Sequence, residues 1–175
     1  MEHNKQTIQQ AVNMVAATPA ILEALLEPLN ESQLNWKADE ESWSIRQVVE
    51  HLYNADNMAF AGRIAYIMAN DGAAMPAITP EERARERAPE GISMVELLGL
   101  FRTRRLQNCA TVRTFAPEPL AHTVTYQEYG AFAAWDFLLE WPYHDLSHLA
   151  QIGDIIKAQL VPGLSETMAK ALGEA

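Results

Sequence analysis

The sequence has little cysteine, little positive charge and no long apolar run. Its single cysteine, Cys109, excludes an internal disulfide and is typical of a reducing compartment. Basic residues number 13 against 23 acidic ones, and at a net charge of −10 no nucleic-acid partner is expected. No apolar run approaches the roughly 20 residues of a membrane span, and the first residues do not resemble a signal peptide. We therefore expect a cytoplasmic protein with no membrane partner.

Hydrophobic residues, in contrast, make up 49% of the chain, which is enough to form a sizeable core. They recur at helical spacing in four long segments, at about 6–26, 44–70, 93–115 and 131–160, and in a short one at 163–173. Almost no strand pattern is present. The sequence therefore predicts an all-α protein, a four-helix bundle with a short C-terminal helix, formed by one domain over residues 1–175.

Local motifs indicate where some of these helices begin. Ser44 and Gln47 form one capping box, and Ser93 and Glu96 form a second. The first segment contains Thr18-Pro19, where the proline either begins a helix behind a threonine cap or kinks one longer helix. Both interpretations keep the segment helical.

Three less regular segments, 30–43, 71–92 and 116–131, connect the helices. The first is polar, and Trp36 and Trp43 are expected to cap one end of the bundle. The second is interrupted by prolines and glycines and is either a lid or pocket wall or a plain surface loop. Its charged part, 81–87, is compatible with a short solvated helix. The third is expected to be a loop with a short extended piece, in which His122 is exposed.

Several residues stand out within the helical patterns. Asp56 falls inside an apolar stripe, and we expect it to be paired or hydrogen-bonded at the core edge. Cys109 is expected to be a small buried hydrophobe, and Leu106 is another candidate for the core. Four arginines of the third long helix either bind an anionic substrate or, as we favour, form a solvated face: Arg102, Arg104, Arg105 and Arg113.

Two histidines of the last long helix, His144 and His148, lie four residues apart, so both imidazoles project from one face of the helix. Such a pair can share one metal ion, or it can be hydrogen-bonded in the core or partly solvated at its edge. His51 lies on the shoulder of the second long helix, from which its side chain can reach a neighbouring helix. If the three imidazoles meet, they leave an open metal position, as catalytic zinc sites do.

Other polar residues lie about one helical turn from these histidines and are candidates to orient a ligand or a bound water. They are Gln151, Asn54 and Glu140. An ordinary polar position at the core edge or at the surface is the alternative for each.

Taken together, these motifs resemble those of the DinB/YfiT-like superfamily. The resemblance rests on Asn35-Trp36, on the run 42–52 (Ser-Trp-Ser-Ile-Arg-Gln-Val-Val-Glu-His-Leu) and on His144-x3-His148-x2-Gln151-Ile152, and it spans about residues 18–157. It implies a four-helix bundle in which one histidine of the second helix and two of the last long helix hold a divalent metal. His51, His144 and His148 match those positions, whereas Pro142 just before the pair is not typical of the family.

The resemblance also implies a range of functions. The superfamily includes thiol-dependent transferases that use bacillithiol, mycothiol or glutathione, a thiol-dependent maleylpyruvate isomerase, and proteins described as metal-dependent hydrolases. We expect in the first place a metal-dependent enzyme that transfers a low-molecular-weight thiol to a small electrophile. The alternatives are a metal-dependent hydrolase and a non-catalytic metal-binding stress or interaction protein.

The expected cofactor is one divalent metal ion, with zinc or nickel as first candidates and manganese, iron or copper as alternatives. A homodimer is expected because the family is often dimeric. The number of large aromatic side chains favours it as well, since one small core does not readily hide four tryptophans. These are Trp36, Trp43, Trp135 and Trp141.

Overall fold

Four long helical units form a bundle in the computed structural model, which describes residues 3–173. They are α1 (Lys5–Leu26), the unit α3 (Ile45–Ala55) with its continuation α4 (Gly62–Ala69), α6 (Met94–Arg113) and α7 (Ala134–Leu160). Both α1 and α3 pack against α6 and α7, so α1 and α3 lie diagonally opposite each other. The predicted four-helix bundle is confirmed. None of the helices within residues 3–173 is long and apolar enough to cross a membrane.

The shorter elements connect these units. They are three short helices, α2 (Glu31–Asn35), α5 (Pro80–Glu86) and α8 (Glu166–Leu172), and two 3₁₀ turns, Glu118–Ala121 and Val161–Gly163. Helix α5 confirms the predicted short helix of the charged stretch. Its segment is held against the second helical unit, because Asn57 donates to Glu86 over 3.1 Å and the amide of Ala88 donates to Asn54 over 3.0 Å.

The capping predictions are confirmed by the hydrogen bonds. The Gln47 amide donates to Ser44 over 3.2 Å while the Ser44 amide donates to the Gln47 side chain over 3.0 Å. Ser93 and Glu96 form the same reciprocal pair. Helix α1 runs through Pro19 without interruption, so the interpretation of one longer helix applies.

A small sheet lies beside the bundle, where the sequence showed almost no strand pattern. Strand β2 (Thr123–Tyr126) pairs in parallel with β1 (Ala73–Ala74) and antiparallel with β3 (Gly130–Ala133). Gly130 has a φ of +88°, which side-chain-bearing residues rarely adopt, and it ends the hairpin turn. Since β3 takes residues up to 133, α7 begins at Ala134 rather than at the predicted 131.

The core consists of two apolar halves. One half surrounds Phe60, Trp135 and Trp141, and the other surrounds Leu52 and Phe101. Buried polar side chains lie between the two halves on all four units: Thr18, Asp56, Arg105 and Asp145. The prediction that Leu106 belongs to the core is wrong, because its side chain is 50% exposed and the neighbouring Arg105 is buried instead.

Candidate metal centre

The structure brings His51, His144 and His148 together, although His51 is distant from the other two in sequence. One ring nitrogen of each lies within 4.8 Å of those of the other two, and all three side chains are half-buried. The Nε2 atoms of His51 and His144 are 3.0 Å apart. Helices α3 and α7 bring them together because they pack against each other, and the four-residue spacing puts both α7 histidines on the face towards α3.

A π-helical turn, Asp56–Ala61, follows the histidine of α3 by about one helical turn. The turn accommodates one extra residue and therefore rotates the side chains that follow it. Phe60 stacks on Trp141 with ring centroids 5.8 Å apart and meets His144 edge-on at 5.0 Å. A Cβ at Gly62 would come within 2.7 Å of the carbonyl oxygen of Asn57, so the turn depends on a glycine there.

Burial and mutual repulsion lower the pKa of two of the three imidazoles, those of His51 and His148. Burial is the largest cause, followed by the nearby His148 and His144, and together they lower the pKa of His51 to about 4. Burial also lowers the pKa of His148. At neutral pH these rings therefore have a lone pair available, which is the form of histidine that binds metal ions.

This set of nitrogens fits one divalent ion. Ring nitrogens that bind one zinc ion at 2.0–2.1 Å in a tetrahedral arrangement lie roughly 3.3 Å from each other. The 3.0 Å between His51 Nε2 and His144 Nε2 is close to that spacing. In the absence of an ion, two facing lone pairs repel each other unless one nitrogen carries a proton. Imidazole is compatible with zinc, nickel, copper and iron, so the donor set does not choose between them.

Side chains around the rings hold their orientation. The Nδ1 of His148 donates to Oε1 of Gln151 over 2.8 Å, which leaves Nε2 of that ring as the acceptor. Trp43 lies nearly parallel to His148 at 6.3 Å and meets His51 edge-on at 5.2 Å. Because Trp43 is 41% exposed, it forms an edge of the histidine cluster at the protein surface.

Of the three residues predicted to orient a ring, only Gln151 is hydrogen-bonded to one of the histidines. Asn54 accepts from the amide of Ala88 and so holds the segment that contains α5. Glu140 is exposed and lines a separate cavity with Arg63 and Tyr126. The alternative of an ordinary polar role therefore applies to Asn54 and Glu140.

A buried ionic network lies next to the histidines, and the sequence analysis missed most of it. The Arg105 guanidinium donates from Nε to Asp56 and from its two terminal nitrogens to the two carboxylate oxygens of Asp145. Asn108 also donates to Asp56, over 2.8 Å, and Thr18 donates to Oδ2 of Asp145 over 2.6 Å. The predicted pairing of Asp56 is confirmed, but it occurs inside the core rather than at its edge.

The prediction that Arg105 belongs to a solvated face is wrong. Its exposed fraction is 0%, and it lies four residues after Phe101 and four before Cys109, both of them buried. That spacing is the signal that placed Arg105 on the core side of α6. The physical reason for its burial is the pair of carboxylates, which satisfies a charge that would otherwise be too costly to bury.

The two carboxylates differ in acidity. Burial raises the pKa of Asp56 above its ordinary value, and the charge of Arg105 only partly offsets that effect. Burial acts in the same direction on Asp145, but its contacts with His144, Arg105 and Thr18 outweigh it and lower the pKa below the ordinary value. The pKa of Asp145 is therefore the lower of the two.

Two other predicted residues lie away from the histidine cluster. Cys109 is buried as predicted, and burial raises the pKa of its thiol to about 11, which leaves it unreactive. The prediction that His122 is exposed is wrong. It is half-buried, and its Nδ1 lies 2.8 Å from the carbonyl oxygen of Met68.

Comparison with known proteins places the chain in context. A family model described as the DinB superfamily matches residues 14–152. "Putative metal-dependent hydrolase OB0782" of Oceanobacillus iheyensis is 23% identical over 152 residues, which cover 86% of each chain. The solved structure of YfiT from Bacillus subtilis matches with a TM-score of 0.71 at 19% identity, over 90% of this chain and 89% of that one. The Bacillus subtilis protein is described as "a probable metal-dependent hydrolase with an unusual four-helix bundle topology", and the likeness supports the same fold here.

Proposed function

The chain belongs to the DinB superfamily, and we propose that it is a metal-dependent enzyme in which His51, His144 and His148 hold the ion. The observation that carries the proposal is the meeting of three imidazoles whose ring nitrogens lie within 4.8 Å of one another. A divalent ion held by neutral ligands keeps its full charge towards an open position and lowers the pKa of a thiol or water that binds there. The names of the Oceanobacillus and Bacillus relatives also support metal dependence.

For the reaction, we propose the transfer of a low-molecular-weight thiol to a small electrophilic substrate. The cluster consists of imidazoles, and no carboxylate among residues 3–173 joins it. Asp145, the carboxylate beside His144, is occupied by Arg105 and Thr18. An ion at this site needs to lower the pKa of a thiol only from about 8.5 to give a thiolate at neutral pH, whereas it needs to lower the pKa of water from about 15.7. The thiolate then adds to the electrophile, and the proton released from the thiol returns to the product. The easier deprotonation favours thiol transfer.

Hydrolysis is the second candidate, and the names of the two relatives favour it. The test is to purify the protein without a histidine tag, reconstitute it with zinc, nickel or manganese, and measure two reactions in parallel. One is conjugation of bacillithiol, mycothiol, glutathione or cysteine to a model electrophile, and the other is hydrolysis of model esters and amides. We expect conjugation with at least one thiol.

The matched controls for these assays are His148→Ala and His122→Ala. The first removes a proposed ligand, while the second removes a half-buried histidine outside the cluster. Activity lost in the first and retained in the second supports the proposal. Hydrolysis without conjugation would replace thiol transfer by the second candidate, and neither activity from fully loaded protein would indicate a non-catalytic metal-binding protein.

A spectroscopic titration separates an open site from a closed one without relying on turnover. The protein is loaded with cobalt and titrated with each thiol at neutral pH. We expect a new charge-transfer band together with the release of a proton, because a thiol that reaches the ion loses its proton. An unchanged spectrum at millimolar thiol would contradict thiol transfer.

We also propose that the protein is a cytoplasmic homodimer. Two of the four tryptophans, Trp135 and Trp141, are buried in the core and no longer support a dimer. Support comes instead from the adjacent helices α1 and α6, which expose Met14, Ile21, Leu25, Leu100 and Leu106. We expect a dimer mass in light scattering at micromolar concentration and a monomer for Ile21→Glu. A monomer mass for the unmodified protein would overturn this assembly.

A further inference from the structure

One nitrogen of the histidine cluster has no hydrogen-bond partner within the described part of the chain. It is Nδ1 of His144, which is inaccessible to solvent and accepts from or donates to none of residues 3–173. Oδ1 of the neighbouring Asp145 is 4.0 Å away. A buried imidazole nitrogen without a partner is costly, so this one requires an explanation in terms of what it faces.

The Asp145 carboxylate is held firmly but incompletely satisfied at the oxygen nearer to His144. Its Oδ2 accepts from both Arg105 and Thr18, whereas Oδ1 accepts only from Arg105, over 3.2 Å. Oδ1 therefore has capacity for one more donor. Arg105 is 0% exposed and also donates to Asp56, so its side chain is fixed in the core. It therefore holds the Asp145 carboxylate in one position.

We propose that Asp145 is a positioning residue that keeps the proton of His144 on Nδ1. This proposal rests on the proposed function of His144 as a metal ligand. A carboxylate oxygen 4.0 Å away attracts an Nδ1–H and repels an Nδ1 lone pair. With the proton on Nδ1, the lone pair of the ring lies on Nε2, which faces His51. Arg105 and Thr18 act through Asp145, since they determine where its charge lies.

The other α7 histidine has a comparable neighbour, but that neighbour is uncharged. His148 donates from Nδ1 to Gln151, so its Nε2 is also left as the acceptor. Gln151 is a neutral amide, which can turn over and offer its NH₂ group instead. An ionised Asp145 can only accept hydrogen bonds, so it favours the Nδ1–H form of His144 and cannot stabilise a lone pair on Nδ1. Second-layer carboxylates of this kind orient histidine ligands and raise their basicity.

The network itself supplies a matched pair of variants that separates this role from a structural one. Asp56 and Asp145 are both buried partners of Arg105, but Asp145 is the neighbour of His144 and the one whose Oδ1 lies near its ring. Asp56→Asn and Asp145→Asn each remove one negative charge from Arg105 with little change in shape. A purely structural carboxylate would give the same result in both.

Zinc affinity is the first measurement, made on folded protein by competition with a chromophoric chelator. We expect Asp145→Asn to weaken binding about 10- to 100-fold and Asp56→Asn to change it less than about 3-fold. Equal affinities in the two variants, or no loss in Asp145→Asn, would overturn the proposal. If Asp145→Asn does not fold, Thr18→Val replaces it, and an affinity loss of about 3-fold is then expected.

Nitrogen-15 NMR of the metal-free protein is the second measurement, and it does not depend on zinc. We expect His144 as the Nδ1–H form in the unmodified protein and a shift towards the Nε2–H form in Asp145→Asn or, to a smaller extent, in Thr18→Val. An Nε2–H form in the unmodified protein would contradict the positioning role. If the unmodified protein does not bind zinc but the NMR result is as expected, the proposed function is rejected and the role of Asp145 in fixing the tautomer of His144 is retained.

Discussion

Two polar clusters lie side by side between the apolar halves of the core, and they are built on opposite principles. In the ionic network, Arg105 is surrounded by the carboxylates of Asp56 and Asp145, and all three are at most 2% exposed. In the histidine cluster, three half-buried rings face one another with their nitrogens within 4.8 Å. The first cluster consists of opposite charges that satisfy one another, whereas the second consists of three rings of one kind whose nitrogens can share one cation.

The two clusters meet at consecutive residues of α7. Side chains next to each other in a helix point about 100° apart, so His144 can face α3 while Asp145 faces the core. The two clusters therefore place an ion-paired network and a group of three imidazoles next to each other in one bundle. We expect changes in the ionic network to affect folding first, and changes in the histidine cluster to affect metal binding first.

The largest effect is expected when the ionic network loses its cation. Arg105→Met leaves two buried carboxylates without their partner and should lower the free energy of unfolding by about 3–5 kcal/mol. Urea denaturation of metal-free protein measures it. The control is Arg102→Met on the same helix, where the arginine pairs with Glu23 near the surface and the cost should stay below about 1 kcal/mol. Similar losses in both variants would show that the network is not the stabilising element.

The next effect concerns the histidine cluster and should appear only with metal. In His148→Ala, the metal content should fall from about one ion per chain towards zero in elemental analysis. The unmodified protein should be stabilised by about 2.7 kcal/mol at a metal concentration 100 times the Kd, and the variant should not be. His122→Ala is the control and should retain both properties. Full affinity in His148→Ala would show that the proposed ligand set is wrong.

A smaller effect is expected in the pH dependence of the free energy of unfolding, and between pH 4 and 6.5 it should come from the histidine cluster. The pKa of His51 in the folded protein is about 4, below the ordinary 6.5, so the folded protein binds fewer protons than the unfolded chain between these values. The stability of metal-free protein should therefore be fully present above pH 6.5 and fall as the pH decreases towards 4. Unfolding curves at several pH values measure the slope.

The control for this pH effect is His51→Gln, which should reduce the slope over the same range. Asp145 should not contribute to it, because its lowered pKa means that its share of stability is lost only at more acidic pH. A slope that is identical in the variant would mean that other groups cause the pH dependence.

The smallest effect is expected when the hydrogen-bond partner of His148 is removed, and it compares the neighbours of the two α7 histidines. Gln151→Leu removes the neutral acceptor of His148 and should weaken zinc binding by no more than about 10-fold, less than Asp145→Asn does. Folding stability should change little, because Gln151 is only partly buried. A chelator-competition titration of both variants measures the order. A larger loss in Gln151→Leu would mean that the amide, rather than the carboxylate, is the stronger orienting group.

Features that depend on neighbouring residues could be predicted before the fold was known. Ser44 with Gln47 and Ser93 with Glu96 begin their helices through contacts three residues apart, and the capping boxes could be predicted for that reason. The spacing of His144 and His148 likewise settles that they share a helix face, whatever packs against it. The helical periodicity was sufficient to predict the bundle.

Features that depend on distant partners became apparent only in the folded chain. Arg105 is buried because Asp56 and Asp145, 49 and 40 residues away, come to it, and α6 alone contains no sign of them. The short extended piece expected within 116–131 is strand β2, but its pairing with β1 and β3 could not be predicted because these partners are distant or have little strand pattern of their own. His51 could be grouped with the α7 pair beforehand only through the resemblance to a known family, because no local pattern connects the two helices. Burial of a charge, strand pairing and the meeting of three rings are properties of packed helices, and a local pattern cannot carry them.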